Sequence, residues 1–269
     1  MFHLKLSTLR WSLLISAVLL SACSADKYDP TAGWSVDKLY QEAKEELASG
    51  AYDKAIGYYE KLEGRAAGTP LAQQAQLDKA WAQYKQNEPA QALATVERFI
   101  KLHPASPALD YAIYLKGLIN FNDDLGIFAN LASQDLAERD PKQAKESFEA
   151  FRELITRFPD SKYAPDARLR MTYIRNTLAR SDLYIARYYF QKGAYVAAIN
   201  RAQQTINDFR EEPAVEDALI ILFQSYDKLG MTQLRDDTYR VLETSFPESK
   251  FIKAEKEARA KKKSWWKFW

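Results

Sequence analysis

Residues 70–104 read "PLAQQAQLDKAWAQYKQNEPAQALATVERFIKLHP", two amphipathic helical segments joined by a polar break at Gln86–Pro89. Small residues stand where two helices must approach closely (Ala80, Ala92), and bulky ones where a face must be buried (Trp81, Tyr84, Val96, Phe99). Pro104 cannot continue a helix and stops the second one. The flanking prolines lie 34 positions apart, the period of a tetratricopeptide (TPR) helix-turn-helix unit.

The unit recurs. Pro70, Pro104, Pro159, Pro213 and Pro247 close successive segments at spacings of 34, 55, 54 and 34. The two long segments exceed the period by about 20 residues, room for one extra helix or a long loop each. The second-helix halves align as "GAYDKAIGYYEKL" (50–62), "NEPAQALATVERF" (87–99), "DPKQAKESFEAF" (140–151), "GAYVAAINRAQQTI" (193–206) and "GMTQLRDDTYRVL" (230–242). Ala55, Ala92, Ala144 and Ala198 hold the crossing position; Arg235 replaces them in the fifth, which reads as a degenerate end repeat. The expected fold is therefore all-α, a TPR-like helical-repeat solenoid of about five helix-turn-helix units with two insertions. An all-α bundle with Ala-rich faces would share the composition but not the repetition.

Ahead of the repeats, His3, Lys5 and Arg10 precede an apolar run, Trp11–Leu20, too short to span a bilayer. The run ends "LSAC", Leu20 to Cys23, with small residues before the single cysteine of the chain. No disulfide partner exists for it. Residues 1–22 read as a lipoprotein signal that is removed. Cys23 reads as the lipid-attachment site, its thiol alkylated by diacylglycerol and its amine acylated; no other cofactor is expected. A plain secretory signal with an incidental cysteine is the alternative. Ser24 after the cysteine resembles lipoproteins passed to the outer membrane. That predicts a lipid-anchored protein on the periplasmic face of that membrane, since several acyl chains together anchor firmly.

The remaining organisation follows. Residues 23–34, with Pro30 and Gly33, are a polar tether holding the first repeat off the membrane. Residues 35–158 are the N-terminal repeats, opened by Ser35 as N-cap, and 159–249 the C-terminal repeats. Ser106-Pro107 reads as the N-cap and first helical residue of the third unit. The first insertion, 122–139, carries Asp123 and Asp124; without further carboxylates at calcium-loop spacing it reads as a solvated loop with a short helix rather than a cation site. Asp166 to Lys192 contains no Gly or Pro and reads as one long helix that braces two halves of the solenoid.

From Cys23 onward, 36 basic residues balance 36 acidic ones, which argues against nucleic-acid binding over the body. Residues 250–269 depart from that balance, with eight basic and two acidic residues, and end "SWWKFW" (264–269). Trp265, Trp266, Phe268 and Trp269 beside a lysine cluster read either as an anchor for an anionic surface or as an apolar end docked on the last repeat or a partner. Chemistry is sparse elsewhere. His103 is the only histidine after the signal, which removes His triads and His/Cys metal sites, and no Gly-rich phosphate loop is present. An enzyme is not expected.

Binding is expected on the first helices of the units. Counting from their small residues (Ala43, Ala80, Gly117) selects Tyr40, Lys44, Trp81, Tyr84, Lys85, Tyr111, Tyr114, Leu118 and Phe121. These form an aromatic trough with lysines, suited to an extended peptide with aromatic side chains and a terminal carboxylate. Some of them are equally readable as inter-repeat core.

The segments "DYAIYLKGLINF" (110–121), "RDPKQAKESFEAF" (139–151), "RFPDSKYAPDA" (157–167) and "GAYVAAINR" (193–201), with the lipobox, resemble the BamD family of outer-membrane β-barrel assembly lipoproteins, also called competence lipoproteins ComL. The resemblance covers about residues 35–245 and leaves the "SWWKFW" end unassigned. It implies a non-enzymatic subunit that binds the POTRA domains of a BamA-type insertase and other Bam lipoproteins. Its N-terminal repeats would receive the C-terminal signal of unfolded outer-membrane proteins, which ends in an aromatic residue. Arg201, matching the Arg of the family's "NR" pair, would face the insertase; a surface ion pair is its other reading. The competence name suggests a second possibility, a peptidoglycan-associated lipoprotein involved in DNA uptake.

Overall fold

The computed structural model of the chain describes residues 29–121 and 142–265, with side chains through Lys261. Cys23, the insertion 122–139 with its acidic pair, and residues 266–269 lie outside the described residues. Eleven helices and no strand occur among the described residues. They pair as α1 (Val36–Ser49) with α2 (Tyr52–Arg65), α3 (Pro70–Lys85) with α4 (Pro89–Leu102), and α5 (Leu109–Asn120) with α6 (Lys142–Arg157). Then come α7 (Ala164–Gln191) with α8 (Tyr195–Asp208), α9 (Ala214–Lys228) with α10 (Thr232–Ser245), and a final α11 (Lys250–Trp265). Each helix through α10 packs on the next in the chain, and α3 also meets α5 and α7 also meets α9. First helices thus stack on first helices, the arrangement of a helical-repeat solenoid.

The turn inside the four units where it lies among the described residues has one conformation. Gly50, Asn87, Gly193 and Gly230 begin four of the five aligned second-helix segments, and all four adopt positive φ (83°, 64°, 75° and 68°). That left-handed residue reverses the chain between paired helices; glycine adopts it without steric cost and asparagine at modest cost. Burial follows the alignment as well. The last aligned position, Leu62, Phe99, Phe151, Thr205 and Leu242, is fully buried in every unit. The crossing position is fully buried in three units, Ala55, Ala92 and Ala198.

In the third unit Ala144 is only half-buried. There the close approach shifts to Gly117, Ser147 and Phe151: the Ser147 hydroxyl donates to the Gly117 carbonyl at 2.8 Å, and a Cβ at Gly117 would overlap the Phe151 ring. In the fifth unit Arg235 pairs instead with Asp227 at 3.0 Å and Asp236 at 2.8 Å.

Two expected boundaries are corrected. Ser106-Pro107 does not open the third unit; α5 starts at Leu109. Ser106 belongs to a turn, accepting the Ala108 N–H at 3.3 Å and donating to Gln73 Oε1 at 2.9 Å. The end of the tether is also not free. The Asp29 carboxylate accepts from Lys61 at 2.6 Å and Arg65 at 3.0 Å, Thr31 is fully buried, and Trp34 rests on Tyr58 at 5.7 Å. Residues 29–34 are thereby fastened to the first unit. The long helix α7 runs 28 residues, against α6, α8 and α9, and so spans the third and fourth units.

Candidate binding trough and partner face

The first helices are surrounded on several sides, which leaves each a narrow outward strip. On α3, Ala75, Gln76, Leu77, Lys79, Ala80, Ala82 and Gln83 are all buried. Lys79 is tolerated there because its ammonium pairs with Glu63 at 2.8 Å. Asp78, Trp81, Tyr84 and Lys85 remain on the strip or at its edge, none of them buried.

These strips are joined into one row. Tyr40 of α1 donates its hydroxyl to Asp78 of α3 at 3.2 Å, and Gln74 donates to the same carboxylate at 2.8 Å. Lys44 stands over the Tyr40 ring at 5.5 Å, and Lys85 over Trp81 at 5.7 Å. Trp81 and Tyr84 touch with centroids 5.6 Å apart. On α5, Tyr111 and Tyr114 both meet Tyr163 just ahead of α7, at 5.4 and 4.7 Å, the latter stacked. Tyr114 donates to Asp166 of α7 at 2.7 Å, and Arg170 donates to that carboxylate at 2.6 Å.

The electrostatics show how enclosed the row is. Burial pushes the Asp78 carboxyl above its usual range, against hydrogen bonds from Gln74 and Tyr40 and the positive charge of Lys44. Burial, with the Asp78 charge, pushes Tyr40 up to about 12. Tyr59 behind it and Tyr111 beside it are raised in the same way, by burial first and Asp78 second. Tyr114 is pushed up to about 12 by burial and its bond to Asp166. Burial works against ionisation of Asp166 too, but bonds from Tyr114 and Arg170 outweigh it and hold the carboxyl below the usual range. The result is a phenol-lined strip carrying two carboxylates, with exposed lysines at Lys44 and Lys85.

Of the nine residues selected from sequence, Tyr40, Lys44, Trp81, Tyr84, Lys85, Tyr111 and Tyr114 line this row. Leu118 and Phe121 do not: both are buried, at 7% and 9% exposure, in the core shared with Phe151, Leu154 and Ile174. Asp78, Tyr163, Asp166 and Arg170 complete the row and were not selected. Asp78 lies one helical turn before Trp81, a spacing that could have flagged it.

Arg201 lies apart, half-exposed on α8, where its guanidinium donates to Gln204 at 3.3 Å. Its charge also acts on Asp182 of α7, whose carboxyl is raised by burial and lowered by Arg201 and Lys145. Nearby in sequence, Tyr188 and Val196 are 50% and 60% exposed. Among the described residues no helix is long and apolar enough to cross a membrane.

Known proteins give this geometry its family. The YfiO family model, described as an outer membrane lipoprotein, matches residues 34–242. The outer membrane protein assembly factor BamD of Neisseria meningitidis serogroup B is 47% identical over 255 residues, covering 93% of this chain and 95% of that protein. BamD of Vibrio cholerae is 35% identical over 240 residues, covering 89% and 98%. A tetratricopeptide repeat protein of Parabacteroides merdae aligns over 82% of this chain and 70% of its own at 10% identity and a TM-score of 0.35. The helix order and the extent of the sequence match lead to one conclusion: the chain belongs to the BamD family of outer membrane lipoproteins.

Proposed function

We propose that this chain is a non-enzymatic outer membrane protein assembly factor, a subunit of a β-barrel assembly machine that holds unfolded outer-membrane proteins and binds the insertase. The observation that carries the reading is the joined row on α1, α3 and α5, in a chain 47% identical to BamD. An extended peptide ending in an aromatic residue lays its ring among Tyr40, Trp81, Tyr84 and Tyr111. Its terminal carboxylate then pairs with Lys44 or Lys85, which are exposed and held over aromatic faces. The insertase's POTRA domains, together with the other Bam lipoproteins, take the C-terminal repeats. Arg201 supplies a charged contact there, and exposed Tyr188, Val196, Leu234 and Val241 supply apolar area. Acyl chains on Cys23 hold the protein at the periplasmic face of the outer membrane.

The buried setting of the aromatics decides the test. Trp81 packs on two core clusters, so its removal would disturb the fold. Lys44→Glu with Lys85→Glu changes only exposed groups. The double variant should bind a peptide with a C-terminal phenylalanine about tenfold more weakly by fluorescence anisotropy, with an unchanged melting temperature. Unchanged affinity would remove the trough from the mechanism. In parallel, Arg201→Glu should lower co-purification of a POTRA-bearing barrel from outer membranes while peptide binding persists. Recovery of cell-wall fragments or DNA-uptake proteins in its place would favour the competence reading.

A further inference from the structure

The two carboxylates of the trough are not equally satisfied. Asp166 has a cation against it, Arg170 at 2.6 Å, together with the Tyr114 hydroxyl at 2.7 Å. Asp78 has only neutral donors, Gln74 to one oxygen at 2.8 Å and Tyr40 to the other at 3.2 Å. Among the described residues no ion pair reaches it, and the charge of Lys44 acts on it from beyond contact. A carboxylate offers about four acceptor positions, so roughly half of those on Asp78 are unfilled. Burial meanwhile raises its carboxyl, the mark of an ionised group short of hydrogen bonds.

Beside it stand hydroxyl donors with the opposite shortage. Tyr111 and Tyr59 are both raised by the Asp78 charge, so both lie within its field. Neither donates a hydrogen bond among the described residues. Tyr59 is fully buried behind Tyr40, with ring centroids 6.4 Å apart. Tyr111 is half-buried on the row itself. An acceptor with spare capacity and an unspent donor therefore share the face that a peptide approaches, and an enclosed polar group without a partner gains from a ligand that supplies one.

The complement is a group with one donor and one acceptor facing the same way. A residue of an extended chain is such a group: its N–H and C=O point to one side, which is how residues in an antiparallel pair exchange two bonds. A lysine or arginine side chain would satisfy Asp78 and leave Tyr111 unpaired. We infer that Asp78 and Tyr111 grip the main chain of the bound peptide, one residue's N–H donating to the Asp78 carboxylate and its C=O accepting from the Tyr111 hydroxyl; the inference rests on the trough reading above. Main-chain recognition asks for an extended conformation and for no particular side chain at that residue. Sequence then enters only through the aromatic ring and the terminal carboxylate, so one trough takes unfolded chains of many sequences.

The probe is a fluorescein-labelled hexapeptide with a C-terminal phenylalanine and no charged side chain, followed by anisotropy. A matching series carries a methyl group on one backbone nitrogen at a time, which removes that donor and keeps every side chain. Methylation at one internal residue should weaken binding to the parent protein about tenfold, the worth of a hydrogen bond to a charged acceptor. That penalty should shrink to about threefold in Asp78→Asn, whose carbonyl still accepts but without the charge. Tyr111→Phe should weaken the unmodified peptide about fivefold with an unchanged melting temperature, because its hydroxyl has no partner to lose in the free protein. A flat methylation series, or a penalty of the same size in Asp78→Asn, overturns the inference; the trough reading survives that result if Lys44→Glu with Lys85→Glu still weakens binding. Failure of the unmodified peptide to bind the parent protein overturns the trough reading itself, and the inference with it. A flat series combined with tighter binding of a lysine-bearing peptide, lost in Asp78→Asn, also overturns the inference and assigns Asp78 to a cation.

Discussion

At the scale of single residues, the tightest constraint is Gly117. Its Cα faces the Phe151 ring with no room for a methyl group, and its carbonyl accepts from buried Ser147. Gly117→Ala should destabilise by about 1–3 kcal/mol through overpacking, read as a lowered midpoint in urea unfolding with unchanged slope. An unaltered midpoint would mean that α5 and α6 separate freely. Asp78 is constrained electrostatically. Its carboxyl titrates above the unfolded value of about 3.9, so the folded state binds its proton more readily than the unfolded chain does. The stability it contributes is full below that unfolded value and is lost as pH rises through the raised folded value. Asp78→Asn should therefore leave stability at pH 7 unchanged or higher and remove the part of its fall that begins as pH rises past the unfolded value. A steep loss at pH 7 in thermal melts would show that the ionised carboxylate organises the trough.

At the scale of elements, the second helices were legible and the first helices only in part. A second helix presents one buried stripe, so Ala55-Tyr59-Leu62 and Ala92-Val96-Phe99 announce their register by spacing alone. A first helix touches its own partner, the preceding second helix and the neighbouring first helices. Apolar spacing on α5 therefore could not say that Tyr111 and Tyr114 face the strip while Leu118 and Phe121 face Phe151. The partners of these aromatics come from distant sequence, Asp166 being 52 residues from Tyr114, and no local pattern reports that. The long helix was legible because nothing interrupts it, and its function as a brace is visible at Asp166. Tyr114→Phe removes the hydroxyl that crosses from α5 to α7 and should cost about 1–2 kcal/mol, since the acceptor is charged and half-buried. The depressed carboxyl of Asp166 adds stability above the unfolded value near 3.9 that is lost as pH falls through the lower folded value. The difference between Tyr114→Phe and the parent should accordingly shrink in acid. A constant difference down to pH 2 in urea titrations would place the effect in the aromatic stack rather than in the carboxylate.

At the scale of the whole molecule, the core is divided. Four clusters follow one another along the chain: one around Tyr59 and Leu62, one around Val96 and Phe99, one around Phe151 and Leu154, and one around Leu219, Leu222 and Leu242. Each cluster is closed by helices from adjacent units, so stability is a sum of unit and neighbour contributions rather than one shared core. A defect should then stay local. Gly117→Ala strikes the third cluster, and in hydrogen exchange the amides of α5 and α6 should exchange faster by the full destabilisation. Those of α9 and α10, which share no cluster with Gly117, should keep their rates. Loss of protection spread equally over all helices would mean that the solenoid opens as a single unit. Local opening would also serve the proposed division of labour: the N-terminal repeats could admit and release a peptide while the C-terminal repeats hold their partner.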